Sequence, residues 1–219
     1  MQGQKKLKQA ILEIPLGKRL KVKEVCTDMD PYYINIVSEC FPNARVVIDH
    51  FHIVAWATKK QEDFRRLLQQ MSGKKANMGV RSIIMKPSHK LTETEFKKLK
   101  LFFEDFPDVK RAWKCVHQVR KIYWQDDWKQ AFSQLRKAIW YCKQSSIPEM
   151  KELSKTLIKH KESILNYYIS KTTNAYTEGV HTRFELLERG HCGVLNMERF
   201  AKRLLFSFTP FCVISQFFS

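Results

Sequence analysis

Residues 21–52 read KVKEVCTDMDPYYINIVSECFPNARVVIDHFH, and their order decides the fold class. Residues 21–27 alternate polar with apolar side chains, the period of a strand, and run directly into Asp28. Pro31 suits the first turn of a helix, and the spacing predicts one over residues 31–40, with Asp30 placed to cap it. Phe41-Pro42-Asn43 then turns the chain into residues 44–48, ARVVI, a short β-branched run of the kind found in a buried strand. Two buried strands joined by a crossover helix make a parallel α/β unit. Upstream, Leu7, Ala10, Ile11 and Ile14 form a helical stripe over residues 5–14 that Pro15 and Gly17 close.

Beyond Phe51 the pattern changes to helical spacing alone. Apolar residues recur at helical intervals over residues 53–71, 92–106, 109–124, 128–143 and 149–161. Asp108, and Ser146 to Pro148, read as start signals for the helices that follow them. Residues 71–83, with Gly73 and Gly79 among basic residues, read as an exposed loop. Trp113, Trp124, Trp128 and Trp140 lie in this block and are assigned to its core. Two further helices are expected over residues 175–188 and 196–206, separated by Gly190 and Gly193. With only 7 Gly and 7 Pro among 219 residues, a turn-rich sandwich or barrel is disfavoured and a helix-rich protein is expected.

The chain carries 39 Lys and Arg against 22 Asp and Glu, a formal charge of +17. That excess favours a polyanionic partner, nucleic acid before an anionic membrane surface. The six cysteines are scattered with no C-x-x-C pair, which disfavours a zinc module and implies reduced thiols. The apolar tail over residues 204–219 holds five Phe but is broken by polar residues and is too short to span a bilayer. A cytoplasmic protein with no membrane partner is expected, nucleoid-associated when bound to DNA.

Asp28 ends the first strand, the edge at which α/β sheets collect ligands and catalytic groups. Such a carboxylate suits Mg²⁺, and a helix cap is the competing use. Asp49 ends the second strand and either caps the next helix or meets His52 one turn on. Glu178 lies in N-A-Y-T-E-G, residues 174–179, with Arg183 and Arg189 close behind. Phosphate-loop, dinucleotide and serine-hydrolase fingerprints are absent from the sequence.

The succession of V-C-T-D-M-D-P-Y-Y, then F-P-N-A-R-V-V-I-D-H-F-H, then W-Y-C-K-Q-S-S-I-P-E-M-K-E-L-S-K-T, then T-N-A-Y-T-E-G and L-N-M-E-R-F-A-K-R-L resembles the bacterial insertion-sequence transposases of the ISL-three group. The likeness runs from about residue 21 to residue 205. It implies a ribonuclease H-like α/β core with a large all-α insertion, and an Asp-Asp-Glu triad that uses two Mg²⁺ or Mn²⁺ ions to cut DNA and transfer strands. Asp28 matches the second aspartate and Glu178 the glutamate. Asp49 and His52 match a D-x-x-H element that is structural or positions DNA.

On this basis residues 1–52 are a partial ribonuclease H-like core, 53–170 the helical insertion, 171–206 the helical return with Glu178, and 207–219 an apolar tail. The implied partners are transposon ends and target DNA, with a homo-oligomer or a separate N-terminal half. Arg183, Arg189, Lys202 and Arg203 are the candidate phosphate contacts. The first aspartate has no counterpart, because residues 1–27 contain only Glu13 and Glu24 as acids. The expectation is therefore an N-terminally truncated catalytic domain, inactive by itself. The competing reading is a non-catalytic basic DNA-binding remnant that interferes with intact transposase.

Overall fold

In a computed structural model of the chain, which describes residues 2–73 and 79–171 with Gly179, Thr182 and Glu185 beyond, the secondary structure opens with helix α1, Gln2–Leu12, and a single turn α2, Leu16–Arg19. The α/β unit follows as β1 (Glu24–Thr27), α3 (Pro31–Cys40) and β2 (Arg45–Ile48). β1 and β2 pair in parallel, Glu24 opposite Arg45 through Thr27 opposite Ile48. Both strands are shorter than the sequence suggests, because pairing exists only where both backbones run side by side. Pro31 opens α3, Asp30 accepts the Tyr32 N–H at 2.8 Å, and Ile36, Val37 and Cys40 are buried. Arg19 fastens the opening helical segment to α3, its Nη1 donating to the Cys40 carbonyl at 2.7 Å.

The remaining described elements are helical: α4 (His50–Ser72), α5 (Val80–Met85), α6 (Glu93–Asp105), α7 (Pro107–Ile122), α8 (Trp128–Gln144), α9 (Pro148–Lys159) and α10 (Lys161–Ser170), with a 3-10 turn at Ser88–Lys90. The expected helix-rich chain with a parallel strand pair is thus present. Gly73 ends α4 in the left-handed conformation, φ 63°, which glycine adopts without a Cβ clash. Residues 80–85 depart from the expected loop. Val80, Ile83 and Ile84 are buried against Leu99, Phe102 and Phe103, so apolar burial turns this short segment into a helix.

The helix expected over residues 149–161 is present as α9, which ends at Lys159, and after a break in backbone angles at His160 a further helix, α10, follows without Pro or Gly between them. The second, α10, returns to the strands: Asn166 Nδ2 donates to the Val46 carbonyl at 2.9 Å. One continuous core joins Ile48 and Ile53 to Val116 and Val119 on α7, Leu135 on α8, Leu153 on α9 and Leu165 on α10. At about 25 cal/mol per Å² of apolar surface, each such leucine or isoleucine contributes about 2 kcal/mol.

Not all the tryptophans belong to that core. Trp124 and Trp128 are each 43% exposed and Trp140 is 57% exposed. The buried positions of α8 are filled instead by Ala131, Leu135, Ala138 and Cys142. Residues 174–219 form a second unit. The helices expected over residues 175–188 and 196–206, and the tail, lie outside the described residues.

Candidate active site at the carboxyl edge of the strands

The parallel register brings Asp28 and Asp49 to the same edge of the sheet. Thr27 pairs with Ile48, and the Asp49 N–H donates to the Thr27 carbonyl at 3.0 Å, so the two aspartates leave their strands at one level. Their environments then differ. Asp28 is half-buried, and its Oδ1 accepts the Asp30 N–H at 2.9 Å in a tight local turn. Its second oxygen makes no hydrogen bond among the described residues. Asp49 is completely buried and caps α4, accepting the Phe51 N–H at 2.8 Å.

The imidazole beside the Asp49 carboxylate is that of His50, with Nδ1 3.5 Å from Oδ1. His52 is exposed on the first turn of α4. Behind Asp49 stands a group of rings the sequence did not single out. His50 packs on Phe51 at 4.1 Å between centroids and on Tyr123 and Tyr167 at 5.4 Å each. The Tyr123 hydroxyl is buried with no hydrogen-bond partner among the described residues. Burial, with Tyr168, Asp49 and Tyr167 nearby, raises its pKa well above the ordinary value. The Tyr168 hydroxyl donates to the Ile122 carbonyl, and burial beside Tyr167 pushes its pKa up to about 12. A second histidine in D-H-F-H was the only sequence signal for this packing.

As a metal ligand Asp28 has the right chemistry, a hard oxygen donor with one free atom on a half-exposed edge. Asp49 does not, because its carboxylate is committed to the α4 cap. Among the described residues no three His, Cys, Asp or Glu side chains come together. Glu24 lies away from this edge: it begins β1, about 13 Å along the strand from Asp28, and pairs with Arg45 at 3.1 Å. Glu178, Arg183, Arg189, Lys202 and Arg203 lie outside the described residues.

A family model described as a transposase, of the DDE type and the ISL3 family, matches residues 2–204, most of the chain. The chain belongs to the ISL3 family of DDE transposases. The searches of curated proteins and of solved structures returned no match. Family membership places the chain, at a coarse level, in DNA transposition, with DNA as the substrate. DDE transposases generally use a divalent metal. No described helix is long and apolar enough to cross a membrane.

Proposed function

We propose that this transposase chain carries the second and third carboxylates of the catalytic triad, Asp28 and Glu178, on a ribonuclease H-like framework. Residues 1–52 are then part of the α/β core, 53–170 the helical insertion and 171–206 the helical return that carries Glu178. The observation that supports this reading best is Asp28 itself. It stands at the carboxyl end of a half-buried parallel strand, with one oxygen held by the Asp30 N–H and the other open.

In this reading Asp28 and Glu178 hold Mg²⁺ or Mn²⁺, which when bound stabilises the attacking and leaving oxygens of phosphodiester cleavage and strand transfer. The turn at Asp30 fixes the Asp28 carboxylate so that little side-chain freedom is lost on binding. Asp49 and the His50–Tyr123–Tyr167 packing hold β2 and the start of α4 in place and position the edge. His52, exposed on that first turn, and Arg183, Arg189, Lys202 and Arg203 serve DNA contacts.

One observation favours a second reading, a basic chain that binds DNA without cutting it: the Asp28 carboxylate already has a structural use, accepting the Asp30 N–H at 2.9 Å. The two separate in a cleavage assay on DNA bearing the element's ends, with a segment supplying the first aspartate added in trans. The catalytic reading expects cleavage in the supplemented reaction, and a loss of at least about 10³-fold for Asp28→Asn or Glu178→Gln. Salt-sensitive DNA binding without cleavage under any supplementation supports the second reading.

A further inference from the structure

Trp140 is the most exposed of the described tryptophans named above, and it borders a cleft. The cleft, about 500 Å³, opens between the antiparallel helices α7 and α8. Arg111 and Lys114 line it from α7; Trp140, Tyr141, Gln144 and Ser145 line it from α8 and the residues after it. At its base Cys115, a buried core residue, joins the lining. A cleft of this size accepts one nucleotide.

The lining chemistry selects the ligand. The cleft has two cations and no carboxylate among its lining residues. A second cleft of about 510 Å³ makes the contrast: there Glu62 and Asp63 stand among the arginines, and Glu62 pairs with Arg66 at 3.1 Å and Arg81 at 3.3 Å. Arg111 has a partner, Asp108 at 3.0 Å, but that pair is exposed and worth little, so a phosphate replaces it readily. Trp140 has a ring neighbour in Tyr141, edge-on at 86° and 5.2 Å, so much of its indole surface remains exposed. An exposed indole beside two cations is the arrangement that stacks an unpaired base and holds its phosphate. A paired base offers no free face for such stacking.

We propose that the α7–α8 cleft receives one unpaired nucleotide of the DNA substrate. Trp140 stacks on the base, Arg111 and Lys114 hold the adjoining phosphate, and the Gln144 amide meets the base edge. The proposal rests on the assignment of DNA as the partner and adds the form of DNA that this surface takes.

The test uses the full chain and two duplexes of one sequence, each carrying 2-aminopurine, either paired or in a one-nucleotide bulge. Anisotropy reads affinity and the 2-aminopurine emission reads stacking. The bulged duplex is expected to bind about tenfold more tightly, with its emission quenched. Trp140→Ala removes the quenching and the tenfold preference and leaves affinity for the paired duplex unchanged. Trp140→Phe keeps most of both. Arg111→Ala with Lys114→Ala weakens the bulged duplex and lowers its salt dependence by about one phosphate contact. Equal affinity for both duplexes in the native chain, or unchanged quenching in Trp140→Ala, overturns the proposal while leaving DNA binding in place. Failure to bind either duplex at low salt overturns the DNA reading as well. Since Trp140 is exposed, matching circular dichroism is expected for the alanine variant.

Discussion

Asp28 and Asp49 illustrate how two residues of one type at equivalent strand ends acquire different work. Asp49 is buried, capping and beside His50, so Asp49→Ala removes a helix cap and leaves the part-buried Phe51 N–H without its side-chain acceptor. A loss of about 2 kcal/mol is expected in urea unfolding. Asp28→Asn keeps an oxygen for the Asp30 N–H and changes stability by less than about 0.5 kcal/mol. If Asp28→Asn proved as destabilising as Asp49→Ala, Asp28 would be a structural residue.

The buried Glu62 gives another prediction at this scale. Burial alone would raise its carboxyl pKa, but hydrogen bonds and charge from Arg65 and Arg66 outweigh that and hold it below the ordinary 4.5. A depressed acid stabilises the fold above its unfolded value and loses that contribution as pH falls through the folded one. His117 and His160 are depressed by burial and nearby cations, below the ordinary 6.5. Their unfolded forms take up protons first, so stability falls as pH drops below about 6.5 and falls again below about 4.5. Equilibrium unfolding against pH checks both steps, and Glu62→Gln should flatten the lower one.

At the scale of elements, local chemistry and tertiary packing divide the control. α6 is locally specified: Thr92 and Glu95 form a reciprocal capping box, and Glu95 also receives Lys86 at 2.6 Å. Thr92→Ala should cost about 1 kcal/mol in the same unfolding assay. α5 and α10 are specified by packing. α5 has no side-chain cap and only six residues, yet it buries Val80, Ile83 and Ile84. α10 follows α9 without a breaker residue and is placed by burial of Ile164 and Leu165 and by the Asn166 bond to Val46. These were the elements hardest to read in the sequence, because neither capping residues nor periodicity announces a contact 120 residues away. Strands β1 and β2 and helix α3 were legible because β-branched runs, Pro31 and Asp30 all agree. Asn166→Ala is expected to lose about 1 kcal/mol and to increase hydrogen exchange at β2 before the other elements.

Across the whole molecule, one core ties Ile48 of the α/β unit to α4, α7, α8, α9 and α10, a second cluster holds α5 and α6, and the chain carries a net charge of +17. The edge holding Asp28 was readable because a strand followed by Asp marks that edge in any parallel sheet. The aromatic packing behind Asp49 and the exposed face of Trp140 were not readable, since an indole at a helical interval looks the same in sequence whether it faces core or cleft. The central claim, that Asp28 and Glu178 hold the catalytic metal, has a direct test that needs no transposition. Fe²⁺ is exchanged into the full chain with ascorbate and peroxide, and backbone cleavage by the radicals formed at the bound ion is mapped by mass spectrometry. The account predicts cuts near residues 28 and 178, suppressed by excess Mg²⁺ and lost in Asp28→Asn and Glu178→Gln. Cuts elsewhere, or cuts that persist in both variants, would contradict it.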